Sequence, residues 1–233
     1  MLGKTHKYVG GCCGIIATET LLFQNNINEK TLLYGGLLIS GSLLGSLILD
    51  IDKSGTKMGN KFPIIAKIMN TLFGHRGATH SPIICALLCL LFLYLNNNTS
   101  NIIRLLVIAL FSYILLYDII RFLYKKVIKF RKYQAKTQIT SIIFTILICA
   151  YFYVYSQEDL NLGCFYLIVG LFIGMMSHIF LDFFNPTGIP LFLPISNKKF
   201  HILGISEKYG IVFSIIFSIL VLLSTFKMFG VIL

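Results

Sequence analysis

The chain has 233 residues, a formal net charge of +11, 56% hydrophobic residues and only 12% charged ones, with a mean hydropathy of +0.82. Soluble domains carry roughly 25% charged residues, so the composition excludes an ordinary water-soluble protein and makes lipid the solvent for much of the chain. No ten-residue alternation of apolar and polar side chains is present, which excludes a β-barrel and leaves helices, whose backbone groups bond internally.

Apolar segments fall at 8–24, 31–49, 80–95, 102–122, 138–156, 163–184 and 209–231, each read against the ~20 residues that cross ~30 Å of hydrocarbon. They predict an all-α, polytopic transmembrane helical bundle with about seven spanning or partly spanning helices, in one membrane-embedded domain, 1–233. The first follows Lys4 and Lys7 as a signal peptide would, but Glu19 interrupts it and a small-residue cleavage pattern is missing, so it reads as a retained helix. "VGGC" at 9–12 has too few apolar residues before it for a lipoprotein signal. Glu19 itself lies too far along the helix from His6 to share a metal, and reads as a buried hydrogen bond.

Between the second and third segments, "FPIIAKIMNTLF" at 62–73 is amphipathic and suits the membrane interface, with Pro63 in a first helical turn. "SP" at 81–82 looks like an N-cap and first helical residue, with Ser81 as the cap. The third segment is short, and is tilted, partly re-entrant, or begins earlier than drawn. The loop 121–137 carries Arg121, Lys125, Lys126, Lys129, Arg131, Lys132 and Lys136 with no acid, which places it in the cytoplasm. Its charge reads as a topology signal with attraction to anionic headgroups, not as a nucleic-acid site. Segments 96–101 and 157–161 then fall outside, whereas the N-terminus, 50–79 and the Pro- and Gly-rich 185–208 fall inside. Asp118 has Arg121 three residues on as a local ion-pair partner. The six cysteines lie in or beside apolar segments without a CxxC pair and read as small hydrophobes.

Only five histidines and five aspartates occur. His6 precedes the first helix, Asp50 and Asp52 end the second, His75 and His80 precede the third, and His178 and Asp182 end the sixth. The topology came from lysine and arginine alone, yet it puts all seven groups at the cytoplasmic face. His178 and Asp182, four apart, share one helix face and form either a bidentate metal clip or a hydrogen-bonded pair. Asp50 and Asp52 are expected to turn toward one cation at a fraying helix end, or else remain as solvated charge. Histidines with carboxylates and no cysteine suit zinc best, with manganese or iron as alternatives, in a site of one or two ions. Such ions activate water and polarise a phosphoryl oxygen. Arg76, Lys198, Lys199 and His201 are candidate phosphate ligands. Arg76 is best placed as a catalytic clamp between His75 and His80, with Gly77 allowing the sharp turn there. Should Arg76 prove necessary for the metal, it supports the ligands instead.

"HKYVGG", "GSLLGSLILDID", "HRGATHS", "SHIFLD" and "NPTGIPLFLPIS" occur in an order that resembles the YdjM-like family of inner-membrane, metal-dependent hydrolases. The likeness covers most of the chain, and "HRGATHS" followed by "SHIFLD" is its most specific part. It implies metal ligands at His6, Asp50, Asp52, His75, His80, His178 and Asp182. Leu49 stands where the family pattern often has proline before the first aspartate. The family is also distantly similar to zinc-dependent phospholipases C.

The resulting expectation is a hydrolase integral to the inner membrane, with its metal site facing the cytoplasm. It would cleave a phosphoester of a lipid or lipid-linked substrate by metal-activated water, with Asp52 also available as a catalytic group. The alternatives are a divalent-metal transporter and a non-catalytic metal-binding membrane protein. Membrane lipid is the expected environment and substrate, and no nucleic acid is expected as partner. In single-cysteine variants, position 98 should be labelled by an impermeant maleimide from outside and position 130 only after the membrane is opened. Labelling of position 130 from outside would overturn the orientation.

Overall fold

The computed structural model describes residues 3–23, 27–53, 55–74, 76–127, 133–155, 159–202, 204 and 209–230. Among them the architecture is all-helical, apart from one isolated antiparallel bridge between Ile189 and Phe200. In chain order the α-helices are α1 (Gly3–Thr18), α2 (Glu29–Ile48), α3 (Lys57–Lys61), α4 (Pro63–Phe73), α5 (Pro82–Asn98), α6 (Asn101–Phe122), α7 (Tyr133–Tyr155), α8 (Asp159–Phe183) and α9 (Gly210–Met228). Among the described residues, five stretches are long and apolar enough to cross a membrane: Glu29–Asp52, Asn101–Lys126, Gln134–Val154, Asp159–Phe183 and Gly210–Met228.

The other two expected spans are shorter as α-helix, with 16 residues in α1 and 17 in α5. Alpha-helical geometry ends in α1 where Glu19 begins a π-helical turn, Glu19–Phe23. The Thr225 hydroxyl of α9 donates to Glu19 Oε1 at 2.7 Å, so the carboxyl is a buried hydrogen-bonding group, as the sequence suggests. In α5, Pro82 fixes the start. All six cysteines are free thiols, four of them buried.

Contacts divide the chain into two compact units, one of residues 1–93 with 166–233 and the other of 94–165. In the second unit, Arg104 Nε donates to the Asn96 carbonyl at 2.9 Å and Tyr124 hydrogen-bonds Thr140 at 2.9 Å. The candidate site belongs to the first unit.

There α2 and α8 approach until their backbones touch. Gly41 and Gly45 of α2 face the Leu167–Leu171 stretch of α8, and a Cβ at Gly45 would collide with the Leu171 carbonyl oxygen. Reciprocally, a Cβ at Gly170 or Gly174 would strike the carbonyl oxygen of Leu38 or Ser42. "GSLLG" and "GLFIG" are thus small-xxx-small faces, which in lipid replace the missing hydrophobic drive with close packing. Helix α1 joins by the same device: Gly10 and Gly14 lie against Ser46 and Ser42, and the Ser42 hydroxyl donates to the Gly10 carbonyl at 2.6 Å. An Asn28–Thr31 capping box starts α2.

These packing rows run into the site. Gly170, Gly174, His178 and Asp182 recur every four residues on α8. Ser42, Ser46 and Asp50 do so along α2 and its end, and Gly14, Gly10 and His6 along α1. Gly174→Ala and Gly45→Ala should each destabilise the detergent-purified protein by at least ~1–3 kcal/mol, because the obstructing atoms are backbone. Gly36→Ala, which meets nothing within 4 Å, should be neutral or slightly stabilising. Thermal melts of the three variants test this, and equal stability of all three would sink the packing argument.

Candidate metal centre

Five polar side chains meet at one end of the first unit with almost no solvent contact: His6, Asp52, His80, His178 and Asp182, each at most 1% exposed. Asp50 lies beside them with its side chain 18% exposed. They come from the start of α1, the Leu49–Asp52 3-10 turn after α2, the Ala78–His80 turn before α5, and the end of α8. His75 lies outside the described residues.

Asp182 is the hub. Its Oδ1 lies 3.4 Å from His6 Nε2, and its Oδ2 lies 3.5 Å from His80 Nε2 and 3.7 Å from His178 Nε2. Asp50 Oδ1 is 3.9 Å from His178 Nε2. The rings of His6 and His178 stack at 3.8 Å, and His80 meets His178 edge-on at 5.2 Å.

Hydrogen bonds assign the protons. His178 Nδ1 is 2.6 Å from the Ser46 carbonyl, which only accepts, so Nδ1 carries hydrogen. In the neutral ring this leaves the Nε2 lone pair, buried and without a hydrogen-bond partner, aimed at the carboxylates. His80 Nδ1 faces Asp52 Oδ2 at 3.4 Å and Thr79 Oγ1 at 3.0 Å. Since the Thr79 hydroxyl already donates to Asp52 at 2.7 Å, His80 Nδ1 is the donor and its Nε2 lone pair faces Asp182. Burial pushes the His80 imidazole below its ordinary pKa, against the opposing pull of Asp52. A neutral ring is what a ligand requires.

Lone pairs of nitrogen and carboxylate oxygen pointing at one another repel unless a cation lies between them. Bonds of ~2.1 Å in a tetrahedral site put neighbouring donor atoms about 3.4 Å apart; the observed separations of 3.4–3.9 Å are close to that edge. Among the described residues, two donor groups have all their ligand atoms within 4.8 Å of one another, His6–His178–Asp182 and Asp50–His80–His178. The two groups share His178.

The carboxylates of Asp50 and Asp52 do not turn toward one cation. At roughly three residues per turn, positions two apart point away from each other. Asp50 faces His178, whereas Asp52 Oδ2 receives the Thr79 hydroxyl, the Arg76 backbone N–H at 3.1 Å and the His80 ring. Asp52 therefore orients His80, the usual task of a carboxylate behind a metal-bound histidine. The sharp turn of this loop is shared by Arg76, with φ 59°, and Gly77, whose φ of -94° and ψ of -126° lie outside the regions that side-chain-bearing residues favour. The Arg76 conformation costs a non-glycine residue ~1 kcal/mol, offset here by the bond to Asp52.

The Arg76 guanidinium forks onto Asp182, with Nε 2.9 Å from Oδ2 and Nη2 3.2 Å from Oδ1, while Nη1 reaches the Thr187 hydroxyl. Asn185 Nδ2 adds a bond to Asp182 Oδ1 at 2.6 Å. Thr79, Asn185, Thr187 and the Ser46 carbonyl carry no role that the sequence reveals, although all four lie inside the quoted motifs. Ser81, expected as a cap, donates its hydroxyl to the Leu193 carbonyl at 2.8 Å and ties the site loop to the segment after α8. Lys198, Lys199 and His201 are exposed on that segment, and Lys198 Nζ lies 5.7 Å over the Phe200 ring.

Residues 1–122 and 117–232 match the family described as YdjM inner membrane protein, which accounts for nearly the whole chain. The chain belongs to the YdjM family. It is also 32% identical over 120 residues to the uncharacterized protein YvsG of Bacillus subtilis (strain 168). That match takes in 50% of this chain and 66% of the relative, just under two thirds of its length. No solved structure matches. Membership in the YdjM family and the five apolar helices place the protein in a membrane.

Purified protein should bind divalent metal, and His178→Ala and Asp182→Ala should each lower the bound amount several-fold by elemental analysis. Asp52→Asn should still load at saturation with an affinity about 10–100-fold weaker. Wild-type stoichiometry in both alanine variants would reduce the cluster to a hydrogen-bonded pair.

Proposed function

We propose that this YdjM-family protein is a membrane hydrolase that uses a divalent metal to cleave a phosphoester of a lipid or lipid-linked substrate. The observation that carries the reading is the buried convergence of His6, His80, His178 and Asp182, with the tautomers of His80 and His178 fixed by their outer hydrogen bonds. The donor set of nitrogen and oxygen without sulfur suits zinc, manganese or iron. A bound ion of this kind supplies Lewis acidity to a phosphoryl oxygen and makes a water acidic enough to attack it. This chain's residues do the rest. Ser46 and Asp52 hold the His178 and His80 rings, Arg76 and Asn185 orient Asp182, and Asp50 beside His178 adds a carboxylate to the donor set.

Basic residues gather at the site end, including Lys4, Lys7, Lys53, Lys67, Lys198 and Lys199, which favours a cytoplasmic orientation. Counting α1 and α5 as crossings brings the helices to the seven that the hydropathy suggests. The transporter reading is less well supported, because transport sites lie near the bilayer midplane in broken helices, whereas these donors sit at helix ends.

Incubation of metal-loaded protein with membrane lipids, followed by mass spectrometry, should reveal loss of a phosphoester lipid and appearance of its cleaved products. Arg76→Ala should lose metal and turnover together, because the guanidinium is engaged with Asp182. Retained metal with turnover reduced by about 2–4 kcal/mol in kcat/KM would instead make Arg76 a phosphate clamp. Metal flux into liposomes without lipid turnover would favour transport.

A further inference from the structure

Two segments attached to the site loop carry apolar side chains that stand exposed among the described residues. Helix α4 runs directly into Gly74 and Arg76. Its Ile64, Ile68 and Leu72, spaced four apart on one face, are 75%, 50% and 67% exposed. The opposite face buries Ala66, and the helix packs against the Leu49–Asp52 turn. The second segment follows α8 and is tied to the site loop through the Ser81–Leu193 hydrogen bond. It exposes Phe192 at 49% and Ile195 at 84%.

Each apolar patch is accompanied by cations and by no acid. Lys53 and Lys67 flank and join α4, and Lys198 and Lys199 follow Ile195, all exposed. The sequence contains no Asp or Glu from Lys53 to Tyr117, nor from Phe183 to Ser206. Both segments lie at the helix ends, where α2 and α8 finish and α5 and α9 begin. An apolar stripe with adjacent lysines at that level matches an amphipathic helix lying in the headgroup region.

We infer that α4 and the Phe192–Lys199 segment form a seat for anionic phospholipid around the loop that carries Arg76 and His80. Isoleucine, leucine and phenylalanine side chains enter the acyl boundary, while Lys67, Lys198 and Lys199 meet lipid phosphates. Lysines near an anionic leaflet gain attraction additively, so these three act together. The arrangement fixes the site loop at the depth of the headgroups. The inference rests on membrane placement and not on hydrolysis.

The test uses full-length protein in nanodiscs of phosphatidylglycerol with phosphatidylcholine, carrying an environment-sensitive fluorophore at Ile68→Cys or Ile195→Cys, with Asn98→Cys, exposed and outside both segments, as the reference. The emission of both probes should shift to the blue and be quenched by lipids spin-labelled near the carbonyl region, and resist aqueous iodide at least severalfold better than the reference. Iodide quenching equal to the reference overturns the seat. So does protection from iodide and lipid quencher alike, which means that a protein surface covers the patches. A second measurement uses unlabelled protein. Native mass spectrometry after extraction from the mixed bilayer should show retained phosphatidylglycerol, falling at least twofold in Lys67→Glu/Lys198→Glu/Lys199→Glu. An unchanged lipid profile in that variant overturns the charged part of the proposal. Neither measurement depends on turnover or metal.

Discussion

The backbone contact between α2 and α8 is the constraint from which the site follows. Glycine at 41, 45, 170 and 174 lets carbonyl oxygens of one helix lie where side chains of the other would stand. Only at that separation can the His178 ring reach the Ser46 carbonyl at 2.6 Å. The hydrogen bond does two jobs in consequence: it satisfies a buried donor within the membrane protein, and it commits the other ring nitrogen to a lone pair. One turn further along α8 comes Asp182, and one turn further along α2 comes Asp50. Packing and ligand placement are therefore one geometric event, and loosening the first disperses the second.

Such a cluster is expensive to bury. Ionisable groups inside a membrane protein persist when they are paired or functional, and Asp182 illustrates the balance. Arg76, Asn185 and three imidazoles surround its two oxygens. The arginine compensates charge, but the imidazoles present lone pairs wherever their protons are directed outward. A divalent cation bound there would turn that repulsion into attraction. The stacked His6 and His178 rings favour the same answer, since two imidazolium rings 3.8 Å apart would repel strongly.

The loop between α4 and α5 joins this interior chemistry to its surroundings. Asp52 holds the backbone N–H of Arg76, the hydroxyl of Thr79 and the ring of His80. One carboxylate thus fixes three consecutive features of the loop, among them the left-handed residue from which the guanidinium reaches Asp182. The lipid seat on α4 and the segment after α8 would hold the outer side of the same loop.

The sequence by itself determined the class of the protein. Long apolar segments and sparse charge specify membrane helices whatever the details of packing, because an unpaired peptide group is not tolerated in lipid. The four-residue spacing of His178 and Asp182 was likewise legible, since helix periodicity puts both on one face. The glycine pairs that bring α2 and α8 together were visible as "GSLLG" and "GLFIG", but which helix each faces is a pairing of distant segments that local spacing does not encode. The fates of Asp50 and Asp52 were decided the same way. Their spacing allowed convergence, yet the 3-10 turn sent one to His178 and the other to His80 and the Arg76 backbone. Arg76 is the clearest case. Its position between histidines suggested a free cation awaiting phosphate, whereas the fold brought Asp182 from 106 residues away into its fork. A residue's charge and local geometry can be read from the chain, but its partner is chosen by tertiary packing, because the competing partners are brought within reach only when distant helices dock.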